Sequence, residues 1–412
     1  ITKKNDLKSK EVNLCKFYDP SNGKMIDEGL LLWSPGPNSY TGEDLAEFHT
    51  HGSNAVVSCF LRVLGEQENC RLAEPGEFTK LAFQNNKMDL IEAESIGDLI
   101  HAETELQRQQ AIKLIQGNAS NYYNSLREKL VKSLSYIEAK IDFAEDDLPE
   151  NVLKEVQASI KHVHKDIKQI LEDQKIGEKI RDGFRISIIG DVNAGKSSLL
   201  NLFSKREAAI VSEQEGTTRD VIETYLNIDG YPVILADTAG IRKVKNKIEK
   251  EGIKRAINKA KDADLTLVMI DVSKKTINKD LKKLINEDCI LVFNKSDLSK
   301  KTPKNEFKKN DQILISVKNN KNIDSLIKTI KKKLSKKFMK ANNILVTRER
   351  HRAKLNAALK EIENFLKKDQ KKEIETAAED LRLATRHLGG IVGKVDVEEI
   401  LGSIFQDFCI GK

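Results

Sequence analysis

Cysteine is scarce and unpatterned in this sequence. The 412 residues hold five, Cys15, Cys59, Cys70, Cys289 and Cys409, with no Cys-x-x-Cys pair among them. An odd, scattered set argues against a disulfide framework or a zinc site and fits a reducing compartment. Long apolar runs are missing too: none approaches the ~18 residues that a membrane helix needs. No secretory leader is legible, although the chain starts at Ile1 rather than Met and a processed or targeting segment is compatible with that start.

What is present is enough apolar material, 39% of the residues, for real cores in a chain long enough for two to four domains. The formal net charge is +7 and the pI is near 8.8. A basic surface fits an RNA partner. Lysine-rich solvated helix faces such as Lys331–Lys333 give the same balance without one.

Four stretches follow one another. Residues 1–86 carry turn clusters (Asp19–Gly23 and Ser34–Asn38) between short apolar segments, the pattern of a mixed α+β domain. Residues 87–181 read as helical: Leu126, Leu130, Leu134, Ile137 and Ile141 make one apolar stripe, and Leu153, Val156, Ile160, Val163, Ile167 and Ile170 another. Glu145, Asp146, Asp147 and Pro149 separate the two. Residues 182–337 alternate strand-like runs (Arg185–Ile189, Val233–Ala236, Leu265–Ile270, Ile290–Phe293, Gln312–Ile315) with helical ones, which predicts a parallel sheet covered by helices. Residues 338–412 are helical again, with Asp396 and Glu399 capping a last helix. The two helical stretches each need their stripe covered, so the simplest arrangement packs them together with the α/β domain inserted between.

Gly190–Ser197 fits GxxxxGK[ST], follows a strand-like run and opens a helix, the context that gives the motif its meaning. Glycines let backbone N–H groups wrap a β-phosphate at a helix N-terminus. Lys196 is placed to neutralise β/γ oxygens and Ser197 to put its hydroxyl on Mg²⁺. Downstream, Asn294-Lys295-Ser296-Asp297 fits NKxD at the end of another strand. The Asp297 carboxylate accepts from both N1–H and the 2-amino group of guanine, whereas adenine would leave it facing a lone pair. Asn294 would brace the base loop and the Lys295 stem would lie on the ring. Ser316-Val317-Lys318 supplies the third base contact, through backbone at Val317 where Ala is usual.

Asp237-Thr238-Ala239-Gly240 ends the run Val233–Ala236. Asp237 would reach Mg²⁺ through water, and the Gly240 N–H would sense the γ-phosphate. Gly216-Thr217-Thr218-Arg219-Asp220 lies where a first switch belongs, with Thr218 as the second Mg²⁺ hydroxyl. Ras places a water-orienting Gln directly after DxxG. Here that residue is Ile241, which cannot orient water; Glu249 and Glu251 are the candidates, and Arg219 and Arg242 stand out only weakly as arginine fingers. These motifs give as nucleotide positions Asn193, Ala194, Gly195, Lys196, Ser197, Ser198, Gly216, Thr217, Thr218, Asp237, Thr238, Ala239, Gly240, Asn294, Lys295, Asp297, Ser316, Val317 and Lys318, to which the family resemblance below adds Ser212.

The combination of Gly-x-x-Asn-x-Gly-Lys-Ser, Gly216–Asp220, Asp237–Arg242, Pro35–Asp44, Glu74–Phe78 and the terminal Phe408-Cys409-Ile410-Gly411-Lys412 closely resembles the MnmE/TrmE family of tRNA-modifying GTPases over essentially the whole chain. The resemblance implies a multidomain homodimer: an α+β N-terminal folate-binding domain, an all-α helical domain, and an inserted α/β P-loop GTPase domain. It implies a flavin- and NADH-using partner, MnmG, and modification of C5 of the tRNA wobble uridine with an aminomethyl or carboxymethylaminomethyl group whose carbon comes from a tetrahydrofolate derivative. It implies that potassium replaces an arginine finger, held by Asn193 and by oxygens near Ser212, Gln214 and Thr217, and that Glu249 rather than Glu251 positions water.

For folate, the resemblance implies Glu47, Lys87 and Lys412 as the matching positions, with Cys409 as a functional cysteine near the folate or a plain buried one. The family's N-terminal Arg has no counterpart, and roughly forty family residues ahead of Ile1 are not in this sequence. Glu215 replaces a usual Ala. The family implies a bacterial cytoplasmic setting, or a mitochondrial one in a eukaryote, and no membrane. The competing reading is an RNA-binding regulatory or ribosome-assembly GTPase without modification chemistry.

Three lesser features have plainer readings. Gly390–Lys394 mimics a KH-domain GxxG loop but reads as a helix-cap turn. His49 and His51 lack a further ligand cluster and read as packing or solvent residues. Trp33 reads as core or dimer interface.

Overall fold

The computed structural model describes residues 1–3, 6–142, 151–173, 175–206, 209–210, 223–236, 263–274, 276–299, 302, 307–338, 345–369, 372–395 and 404. It divides into two compact units.

The first unit is Ile1–Gly97, Leu114–Val131 and Thr385–Lys412. Strands β1 (Val12–Tyr18), β2 (Met25–Ser34) and β3 (Leu45–His49) form an antiparallel meander. Alternation turns Cys15 and Phe17 inward and Val12, Leu14 and Lys16 outward. Helix α1 (Asn54–Gly65) starts where the Ser53 hydroxyl accepts the Val56 N–H, at 3.2 Å. It brings Phe60 onto Phe17 and Phe48, with ring centroids 5.2–5.6 Å apart. Helix α2 (Glu77–Gln84) follows, and the Pro35–Asp44 segment is tied to it and its C-terminal flank. The Tyr40 and Thr79 hydroxyls lie 2.8 Å apart, and the Asn85 amide donates to the Thr41 carbonyl at 2.8 Å.

Helices α3 (Leu90–Ile100), α4 (Glu105–Ile115), α5 (Asn118–Asp142) and α6 (Asn151–Leu171) come next in the chain. The stripes predicted for the last two are buried at Leu126, Leu130, Ile137, Val156, Ile160, Val163 and Ile167.

The second unit, Asp98–Lys113 and Lys132–Ala384, contains the α/β part. Helix α7 (Ile176–Asp182) leads into β4 (Phe184–Gly190) through Gly183, whose φ of 111° and closeness to Ile234 admit no side chain. Then come α8 (Lys196–Arg206), β5 (Ala209–Ile210), β6 (Glu223–Ile228), β7 (Tyr231–Ala236), β8 (Leu265–Asp271), the short α9 (Lys279–Lys282), β9 (Cys289–Asn294), β10 (Asp311–Leu314) and α10 (Ile323–Phe338). The sheet order is β10-β9-β8-β4-β7-β6-β5. Every residue of β8 and β9 is buried, which explains their largely apolar sequences.

All five predicted runs are strands, but the sheet is not wholly parallel. β6 pairs antiparallel with β7, and β5 with β6. The cause is a two-residue hairpin loop, Asp229-Gly230, with φ of 50° and 92°. Two positive φ values are what a type I′ turn demands, and Asp-Gly supplies them cheaply.

Helices α11 (Glu349–Lys367) and α12 (Ile374–Val392) complete the chain order. α6 packs along α11, burying Leu355, Ala358, Ile362 and Phe365. α12 ends at Gly393, φ 84°, with the Lys394 N–H on the Gly389 carbonyl at 2.9 Å, so the Gly390–Lys394 segment is a helix-cap turn. Lys331 and Lys333, read as solvated, are partnered with Asp229 and Asp311 at 2.6 and 3.5 Å.

Candidate functional site: a phosphate loop welded to a base loop

The phosphate loop is the segment between β4 and α8. Gly190 lies against β8, where an added Cβ would sit 2.3 Å from the Met269 carbonyl oxygen. Asn193 has φ 61° and is exposed. Gly195 has φ 99°, and a Cβ there would fall 2.3 Å from the Asn294 amide nitrogen. Both glycines are thus required by close approach as well as by backbone geometry. The Lys196 ammonium donates to the Gly190 and Asp191 carbonyls, each at 2.9 Å, so it is held along the loop. Ser197 and Ser198 are exposed in the first turn of α8.

Asn294, at the end of β9, is 3% exposed and uses its amide in two directions. Its Nδ2 donates to the Ala194 carbonyl at 2.9 Å, and its Oδ1 accepts the Val317 N–H at 3.1 Å. One side chain therefore fastens the phosphate loop to both base-side segments. Asp297 is exposed and accepts a hydrogen bond from the Ser316 hydroxyl at 2.5 Å. That bond leads the causes that hold its carboxyl below the usual range. An ionised, open carboxylate is the acceptor that a guanine edge needs. The Val317 segment is closed by the paired Ser316–Lys321 backbone bonds at 3.2 and 2.9 Å, while Lys318 is exposed.

Sequence reasoning missed the loop after β8. Asp271 is 7% exposed and accepts from Lys295 Nζ at 2.6 Å, from the Ser273 N–H at 2.9 Å and from the Ser273 hydroxyl at 2.7 Å. Burial pushes this carboxyl up, but those bonds outweigh it and leave it lowered. The Lys295 ammonium is thereby pinned, which fixes the course of its stem. The same loop sends Lys274 to Asp191, 2.8 Å away, and Asn278 to the other Asp191 oxygen at 3.1 Å. No local motif marks Asp271 or Lys274; only the fold brings them to the nucleotide loops.

Several expected residues lie outside the described residues: Ser212, Gln214, Gly216, Thr217, Thr218, Arg219, Asp237, Thr238, Ala239, Gly240, Ile241, Arg242, Glu249, Glu251, Cys409 and Lys412. In the first unit Glu47 is exposed on β3, opposite Leu32, and Lys87 is exposed with its stem over Gly42. His49 stands 3.8 Å from Glu47, and exposed His51 bonds Asp27 at 2.8 Å. Among the described residues no His/Cys/Asp/Glu cluster suits a metal, and no helix is long and apolar enough to cross a membrane.

The family model for the MnmE helical domain matches residues 90–409, and that for the GTP-binding protein TrmE N-terminus matches 1–87. The chain belongs to the MnmE/TrmE family. It is 58% identical over 399 residues to the tRNA modification GTPase MnmE of Pelagibacter ubique (strain HTCC1062), covering 97% of this chain and 90% of the relative. The MnmE of Rickettsia bellii (strain RML369-C) is 44% identical over 419 residues, covering 100% and 93%. That of Parvibaculum lavamentivorans is 43% identical over 406 residues, covering 98% and 91%. Membership in this MnmE family fixes the enzyme class, a GTPase, and it agrees with a phosphate loop tied directly to a guanine-type base loop.

Proposed function

We propose that this chain binds GTP with Mg²⁺ between the Gly190–Ser197 and Asn294–Asp297 loops and hydrolyses it in a potassium-dependent way. Together with MnmG, it uses this turnover to modify C5 of the tRNA wobble uridine, adding an aminomethyl or carboxymethylaminomethyl group whose carbon comes from a tetrahydrofolate derivative. The observation that carries the nucleotide reading is Asn294, which bonds both the phosphate loop and the base loop.

The described members of each set carry the donor chemistry that their groups need. Lys196 neutralises phosphate oxygens, and the exposed Ser197 hydroxyl suits Mg²⁺ with Thr218, and Asp237 through water. Asn193, exposed at positive φ, offers a neutral oxygen of the kind a potassium ion takes, with Ser212, Gln214 and Thr217 completing the set. Potassium, when bound, offsets charge developing between the β- and γ-phosphates. Glu249 orients the attacking water in place of the Gln that Ile241 replaces. Exposed Glu47 suits the N–H donors of a pterin and exposed Lys87 a glutamyl carboxylate, the set that Lys412 and Cys409 would complete.

A homodimer through the first unit is supported by the outer face of its sheet. Val12 and Leu14 are 67% and 62% exposed and pair with Leu32 and Leu30 across the strands.

The deciding assay compares GTP turnover in potassium and sodium, alone and with MnmG and tRNA. Faster turnover in potassium and restored wobble modification in a deletion strain are expected. Equal rates in both salts would sink the cation assignment, and normal wobble uridine in the deletion strain would leave a regulatory GTPase.

A further inference from the structure

Asp191 is an uncomfortable residue for a phosphate loop. It directly follows Gly190, and its own carbonyl accepts the Lys196 ammonium at 2.9 Å. Its carboxylate adds negative charge next to a polyphosphate site. That carboxylate is mostly buried, 17% exposed, and both of its oxygens are engaged from the loop after β8: Oδ2 by Lys274 Nζ at 2.8 Å and Oδ1 by Asn278 Nδ2 at 3.1 Å. The Lys274 backbone is placed in turn, its N–H donating to the Asp271 carbonyl at 3.1 Å. The Asp271 side chain holds Lys295 of the base loop.

We infer that Lys274 is an affinity-setting positioning residue of the GTP site, acting through Asp191, whose charge it neutralises beside the bound phosphates. This rests on the nucleotide reading above. Lys274 itself is 45% exposed and outside the phosphate loop, and its ammonium is taken up by Asp191. Its loss uncovers a charge. At about 10 Å and an effective dielectric near 20, one uncovered charge facing a polyphosphate weakens binding by about tenfold. Because the pair is partly open to solvent, the effect declines as salt rises.

The test uses the full chain and a fluorescent GDP analogue with Mg²⁺, followed by GTP turnover. Lys274→Ala weakens GDP binding about tenfold and raises KM more than it lowers kcat. Lys274→Gln behaves alike, and Lys274→Arg retains affinity. Adding Asp191→Asn to Lys274→Ala restores binding to within about twofold, a coupling that independent sites do not produce. The Lys274→Ala deficit also shrinks in high salt. Wild-type affinity in Lys274→Ala, or no recovery in the double variant, overturns the inference while leaving the GTP site standing. A wild-type chain that fails to bind the analogue overturns both.

Discussion

The Asn294 amide nitrogen and the Ala194 carbonyl are joined by a 2.9 Å hydrogen bond between residues one hundred positions apart in sequence. The bond makes the Gly190–Ser197 loop and the Asn294–Asp297 loop one structural unit. In Asn294→Asp the carboxylate still accepts from Val317 but faces the Ala194 carbonyl without a proton to donate. Leaving a buried acceptor orphaned and adding a buried charge costs about 3 kcal/mol. Urea unfolding measures that loss, and GDP titration reads a parallel drop in affinity. Unchanged values in both would refute the weld.

Gly195→Ala tests the close approach. The Cβ needs space that the Asn294 amide occupies, at a φ of 99° that disfavours any side chain. Nucleotide binding falls by at least about tenfold, since the loop must move by more than a bond's tolerance. Calorimetric GDP titration decides it.

Asp297→Asn replaces an acceptor-only group with an amide. GTP affinity drops by about a hundredfold or more, because one of the two donors on the guanine edge then meets an N–H donor instead of an acceptor. Xanthine nucleotides, which carry an oxygen where guanine carries its 2-amino group, gain in the same competition assay. Retained preference for GTP would remove Asp297 from base recognition.

The acid limb of stability carries a signature of Asp271. Its folded carboxyl is lowered by Lys295 and Ser273 against the opposing pull of burial. A group lowered in the folded state stabilises it above the unfolded value, and this contribution is lost as pH falls through the folded value. Asp271→Asn is therefore less stable than wild type near neutrality, and the gap closes as pH drops below the usual carboxylate range. Denaturant midpoints across that range follow both proteins; parallel curves would refute the assignment.

Leu14→Lys puts a charge in the middle of the outer sheet face, opposite Leu30. The first unit keeps its core, which lies on the other face with Phe17 and Phe60. If that face carries the proposed homodimer, light scattering shows weaker self-association at unchanged helicity. An unaltered dimer would place the interface elsewhere.

Much of the candidate site's layout was legible because its motifs are local in sequence. GxxxxGKS and NKxD are short runs at strand ends, and both follow strands where the runs Arg185–Ile189 and Ile290–Phe293 put them. Asp271 and Lys274 were not legible, since a carboxylate and a lysine after a strand carry no spacing of their own; parallel pairing of β8 with β4 and β9 brings them to the loops. The antiparallel edge was missed although its sign was printed in the chain. Asp229-Gly230 between Glu223–Ile228 and Tyr231–Ala236 is a hairpin signal that the expectation of a uniform parallel sheet obscured.

That edge hairpin has a mechanical consequence. β6 begins at Glu223 and β7 ends at Ala236, and these two residues are register partners. The ribbon therefore opens and closes at neighbouring points about 5 Å apart, the spacing of paired strands. At the far end, Asn227 donates to the Glu103 carbonyl at 3.2 Å, and the Leu106 N–H meets the Gly230 carbonyl at 3.4 Å. The ribbon is bonded along β7 to β4 and touches the residues opening α4 at its tip, so a load on its open end passes into the sheet as well as into that footing.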